Sequence, residues 1–183
     1  KMIPFAVDAA SLGKVCAVAN GAIRLNPFQP LKAGLVATRL PSLKDSVMDK
    51  TARLLADRLA VYDGAIVKEV RCAHDVDAIA GAIAELDRLD TDLTIVFGAS
   101  AIVDRRDEVP AGIEQAGGEV RHFGMPVDPG NLLLLASRNG KPVLGAPGCA
   151  RSPKENGFDW VLDRIAAGVK VTPEDVSGMG VGG

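Results

Sequence analysis

The feature that most narrows the folds open to this chain is a rhythm. Short apolar stretches alternate with longer stretches whose apolar residues recur at helical spacing. Residues 33–38 (Ala-Gly-Leu-Val-Ala-Thr) and 93–97 (Leu-Thr-Ile-Val-Phe) lack the polar alternation of a half-wet sheet. Runs of this kind belong to strands covered on both faces. Residues 65–70 supply a third strand. Between them, Val47, Met48, Leu54, Leu55 and Leu59 mark one helix, with Ser46 placed to cap it. Val76, Ile79, Ala80, Ile83 and Leu86 mark a second, capped by Asp75 and running to Leu89. A helix between two strands lets the second strand return parallel to the first.

The second half of the chain keeps the pattern and then breaks it. Pro110 to Ala116 reads as a short helix stopped by Gly117 and Gly118, and residues 119–123 as a strand. Residues 132–136 and 142–144 flank Asn139 and Gly140, a strong hairpin signal. Phe158, Trp160, Val161, Leu162 and Ile165 mark the last long helix, with its opening expected near Lys154. Thr172 and Pro173 are fit to start one more turn. The expected fold is α/β: a three-layer α/β/α sandwich with a mostly parallel sheet and an antiparallel edge hairpin.

The 183 residues suit one domain with extensions. Residues 1–30 read as a lead-in segment from a preceding region, with room for a short strand and a short helix before Asn20. Residues 31–170 form the domain, and 171–183 a C-terminal linker or tail. The chain starts at Lys1 and ends in a glycine-rich run, as an excised piece would. Hydrophobic content is 48% but aromatics only 4%, so aliphatic side chains must fill the core. A net charge of −2 argues against a nucleic-acid binder that relies on bulk positive charge. No run of about 18 apolar residues is present, so no membrane partner is expected. Cys16, Cys72 and Cys149 lack metal spacing and cannot all pair with one another, which favours a reducing cytoplasm.

Chemistry is expected in the loops that leave the strands. In open α/β sheets such loops meet along the carboxyl edge. Three carry polar residues: 38–49, 98–107 and 145–156. A fourth, 125–131, leads into the hairpin. Gly98 and Ser100 offer a backbone amide and a hydroxyl to an anion. Gly145 and Gly148 allow close approach of the chain to a ligand. Pro147 stiffens that turn, and Arg151 and Ser152 supply donors for a phosphate or carboxylate. Asp104 and Asp107, beside Arg105, Arg106 and Glu108, are carboxylates of the kind that hold magnesium or orient a hydroxyl, or else pair with those neighbouring charges in a solvated loop. His74 reads as a neighbour of the Asp75 cap, and His122 as a structural strand residue. Cys149 has no base named by sequence, and reads as a small loop residue.

Order and spacing together resemble the molybdopterin-binding domain of molybdenum-cofactor biosynthesis proteins, over residues 32–168. The matching positions are Thr38; Asp49, Lys50 and Thr51; Phe97, Gly98, Ala99 and Ser100, then Asp104 and Asp107. Further on come Asp128, Pro129, Gly130 and Asn131; Gly140, Lys141, Pro142 and Val143; and Ala146, Pro147, Gly148 and Cys149. Phe97 stands where the family pattern has a glycine, and Arg39 and Leu40 stand where it has Gly-Asp. The final loop, followed by Asn156, Gly157 and Trp160, looks like that of a bacterial subgroup. There the domain precedes a nucleotidyltransferase domain resembling molybdenum-cofactor cytidylyltransferases.

The resemblance implies a pterin-phosphate site. Thr38, Gly98, Ser100, Pro129, Gly130, Asn131, Pro147, Gly148, Cys149, Arg151 and Ser152 would hold molybdopterin. Asp49, Asp75 and Asp107 would be the catalytic positions, with Asp104 and Asp107 toward a magnesium ion. It further implies a fused or partner nucleotidyltransferase domain, a homo-oligomer and a cytoplasmic location. Two other readings stand beside this one. The first is an autonomous magnesium-dependent molybdopterin adenylyltransferase or nucleotide pyrophosphatase. The second is a structural or oligomerisation module whose site has decayed.

Overall fold

A computed structural model describes residues 6–42 and 44–180 of the chain. Residues 1–5 of the lead-in segment and the last three residues of the tail lie outside the described part. The element order is α1 (Ala9–Ala19), β1 (Lys32–Arg39), α2 (Asp45–Ala60), β2 (Ala65–Ala73), α3 (Val76–Leu86) and β3 (Leu93–Phe97). Then come α4 (Glu108–Gln115), β4 (Glu119–Phe123), β5 (Leu134–Arg138), β6 (Lys141–Gly145), α5 (Gly157–Ala166) and α6 (Pro173–Ser177).

Six strands form one sheet in the order β2-β1-β3-β6-β5-β4. β2, β1, β3 and β6 run parallel, while β5 pairs antiparallel with both β6 and β4. The hairpin expected at Asn139 and Gly140 joins β5 to β6. Both residues take positive φ, 50° and 76°, as a tight primed turn requires.

The period-two geometry of a strand divides the core between two layers of helices. Leu35, Ile95, Phe97, Leu135 and Leu144 point to one face, where Leu55 and Leu59 of α2 and Phe158, Val161 and Leu162 of α5 cover them. Val36, Val96, Leu134, Ala136 and Val143 point to the other, against Ile79, Ile83 and Leu86 of α3 and Val109 and Ile113 of α4. This is the expected three-layer sandwich. Val176 of α6 is fully buried in the first cluster, so the stretch expected as a tail contributes to the core. α1 buries none of its residues. Among the described residues no helix is long and apolar enough to cross a membrane.

Several local expectations need correction. Lys44, not Ser46, holds the N-cap position of α2, and no side chain caps that end. α3 stops at Leu86 rather than Leu89. α4 opens at Glu108, with Pro110 in its first turn, where a missing N–H costs no helical bond. The last long helix opens at Gly157 rather than near Lys154. A 3-10 turn, Gly148–Arg151, comes first, and Asn156 then caps α5 in a reciprocal box with Asp159.

Candidate functional site

Strand register fixes where the loops emerge. Arg39 lies opposite Ala73, Ala37 opposite Phe97, Val96 opposite Gly145, and Leu134 opposite both Gly145 and Phe123. The segments 40–42, 74–75, 98–107, 124–133 and 146–156 therefore all open on one edge of the sheet. All of the expected binding loops share this rim.

Its centre is a set of hydrogen bonds between β1, β3 and the residue that follows β2. The amide of Ala99 donates to Thr38 Oγ1 at 2.7 Å. Thr38 Oγ1 lies 2.8 Å from Nδ1 of His74 and 3.5 Å from the carbonyl oxygen of Phe97. The other ring nitrogen, Nε2, lies 2.8 Å from the hydroxyl of Ser100 and 3.7 Å from a carboxylate oxygen of Glu108. Thr38 is 1% exposed and the His74 side chain 6%, whereas Ser100 faces solvent. His74 is thus more than a neighbour of the cap. Its ring spans from the end of β1 to the glycine loop. The Asp75 cap is as expected, its side chain accepting from the amide of Ala78.

Arg151 ties the β6 loop to this centre. Its Nη2 donates to the carbonyl oxygen of Gly98 at 2.7 Å, and its guanidinium sits 5.3 Å from the centroid of the Phe97 ring. Phe97 thereby gives the arginine a flat surface to stack on. Burial pulls the guanidinium below its ordinary pKa, although it stays charged. Gly98 is required sterically: a Cβ there would lie 2.8 Å from the carbonyl oxygen of Ser100.

A residue not legible in the sequence holds the loop from below. Arg58 of α2 donates to the carbonyl oxygens of Ala150 (3.0 Å) and Ser152 (2.7 Å), and its Nε pairs with Asp159 at 2.5 Å. In sequence it is one of several polar residues on an amphipathic helix. Only the meeting of α2, the 3-10 turn and α5 gives it three partners.

The loop between β4 and β5 joins the far end of the rim. Gly130, at φ 134°, packs against Gly157, whose amide donates to the carbonyl of Pro129 at 3.0 Å. The carbonyl of Asn131 accepts from Met125. Cys149 is half-buried. Burial, the larger influence, pushes its thiol up, away from thiolate chemistry. Pro147 is buried, and Gly148 is exposed with open space around its Cα.

The candidate carboxylates are already engaged with partners. Asp49 is exposed and pairs with Arg71 at 2.7 Å. Asp107 Oδ2 accepts from the amides of Val103 (2.7 Å) and Asp104 (3.0 Å), which hold its carboxyl below the ordinary value. Asp104 Oδ1 accepts from the amide of Arg106. These oxygens close the loop on itself. Among the described residues, no three His, Cys, Asp or Glu side chains converge to hold a metal ion. Cavities of about 350 Å³, beside Gly140 and Val171, and about 420 Å³, between α2 and α5, are lined by none of the candidate site residues.

No protein-family model matches the chain, and no curated protein matches it in sequence. Among solved structures, it is similar to the molybdopterin biosynthesis moea protein from Pyrococcus horikosii. That match has 21% identity, covers 66% of this chain and has a TM-score of 0.45. The chain spans 30% of that protein's length. It is also similar to molybdenum cofactor biosynthesis protein B, at 12% identity, over 69% of this chain and 84% of that one, with a TM-score of 0.49.

Proposed function

We propose that this chain binds molybdopterin through its phosphate in molybdenum-cofactor biosynthesis, and presents it to a fused or partner nucleotidyltransferase domain. One observation carries the reading: the bond from Arg151 to the carbonyl of Gly98. It joins two loops 53 residues apart, and brings a guanidinium to the carbonyl of Gly98, two residues before the Ser100 hydroxyl. Guanidinium and hydroxyl are the donors that a phosphate monoester needs. The pattern of Thr38, Gly98, Ser100, Pro147, Gly148, Arg151 and Ser152 that resembles the molybdopterin-binding domain falls along the same rim.

In this reading, the Ser100 hydroxyl donates to the phosphate, and Arg151 offers it charge through the donors not spent on Gly98. Gly148 and Cys149 line the approach, with Gly130 and Asn131 at the far end. Asp49, Asp75 and Asp107 face the organic part of the ligand only at a distance, because each is engaged with a partner of its own. Asp104 and Asp107 would be the carboxylates nearest a magnesium ion, although each already accepts from a backbone amide.

Titration of molybdopterin against the wild-type, Arg151→Ala and Ser100→Ala proteins tests the assignment. Arg151→Ala is expected to lose about 1.5–3 kcal/mol of binding free energy, the scale of a hydrogen bond to a charged group. Equal affinity in all three proteins overturns the placement. Adenylated product on incubation with ATP, magnesium and molybdopterin would replace presentation with adenylyl transfer.

A further inference from the structure

We propose that Thr38, His74 and Ser100 form a one-directional hydrogen-bond chain that holds the Ser100 hydroxyl as a donor toward an anion on the rim. The ligand class follows from the direction: an oxyanion such as a phosphate group, which offers only acceptors. The proposal rests on the phosphate-binding reading above for the ligand, but its internal direction is fixed by the protein alone.

The chain starts at the Ala99 amide, which can only donate. Thr38 Oγ1 accepts that bond at 2.7 Å and must place its own proton elsewhere. Two acceptors are near: His74 Nδ1 at 2.8 Å and the Phe97 carbonyl at 3.5 Å. The first is an ordinary hydrogen-bond length, and the second lies well beyond the usual range for O–H···O. Thr38 is almost fully buried, so no water replaces the poorer bond. Its proton therefore goes to Nδ1.

A neutral imidazole that accepts at Nδ1 carries its hydrogen on Nε2. Nε2 then donates to Ser100 Oγ at 2.8 Å. The Glu108 carboxylate, 3.7 Å from Nε2, favours a proton at the same nitrogen. Ser100, accepting from the ring, has its hydroxyl proton left to aim outward into solvent. Each bond polarises the next, which strengthens the last donor in the row. The opposite tautomer would turn Ser100 inward and make His74 a base. That arrangement suits a nucleophilic serine and offers a phosphate only lone pairs.

Imidazole nitrogen shifts of uniformly ¹⁵N-labelled full chain, above the titration of the ring, read the tautomer directly. The chain has two histidines, so an His122→Gln protein assigns the signals. The expected result is the Nε2–H form at His74, and a shift toward Nδ1–H in Thr38→Val, which keeps the shape and removes the hydroxyl. Inorganic phosphate serves as the binding probe, with an expected loss of about five- to tenfold in His74→Phe. An Nδ1–H ring in the wild-type protein overturns the proposal, and needs no variant to fold. An Nε2–H ring with no phosphate binding to wild type upholds the chain's direction and overturns the phosphate reading instead.

Discussion

Two glycines of the rim look alike in the sequence and do different work. Gly98 sits in a buried turn where an added Cβ meets the Ser100 carbonyl at 2.8 Å and Val109 Cγ2 at 3.1 Å. Neither neighbour has room to retreat, since the carbonyl is backbone and Val109 belongs to the core. Gly98→Ala is expected to destabilise the fold by about 1–3 kcal/mol in urea unfolding, as overpacking does. Gly148 has nothing within 4 Å of its would-be Cβ. Gly148→Ala should leave stability within about 0.5 kcal/mol of wild type while weakening molybdopterin binding, if the ligand passes close to that backbone. Unchanged affinity would remove Gly148 from the site.

Among the elements, α5 shows how a helix start positions a loop. Asn156 is buried, accepts from the Phe158 amide at 3.1 Å, and donates to the carbonyl of Lys154 at 3.0 Å. Asp159 returns a bond to the Asn156 amide. The cap thus ends the Arg151 loop at a defined angle before Phe158 enters the core. Asn156→Ala is expected to cost about 1–2 kcal/mol, measured by thermal or denaturant unfolding. A change under about 0.3 kcal/mol would mean that Asp159 and packing hold the start unaided. The same cap logic was readable at Asp75, which directly precedes an apolar helical pattern, and at Thr172, which Pro173 follows at the first helical position. At Asn156 it was obscured: the preceding Lys154 and Glu155 are themselves acceptable helix residues, and only the 3-10 turn excludes them.

Over the whole molecule, Arg58 joins the layers. It links α2 to residues 92 to 101 positions further along the chain, through two carbonyls and the Asp159 carboxylate. The pair is largely shielded, with 10% and 16% of the side chains exposed. Arg58→Ala leaves Asp159 without its cation and should cost about 3 kcal/mol, as breaking a shielded pair does. Arg58→Lys retains the charge but not the planar fork, and should recover only part of the loss. Full stability in either protein, by urea unfolding, would show the loop to be held by other contacts.

The alternation of strand runs and helical stripes, the hairpin at Asn139 and Gly140, and the division of apolar residues between two faces were all contained in the chain's own order. They depend on side-chain spacing over a few residues, and local spacing is what a sequence displays. The convergence of Thr38, Ser100 and Arg151 on one rim was also accessible, since parallel strands must send their carboxyl ends the same way. What awaited the folded molecule was partnership. His74 acquires its two hydroxyls from β1 and from the glycine loop, Arg58 its three acceptors from a distant turn and helix, and the aspartates lose their apparent freedom to nearby amides and cations. Hydrogen bonds are won or lost over tenths of an ångström between residues far apart in the chain, and only the packed sheet and helices set those distances.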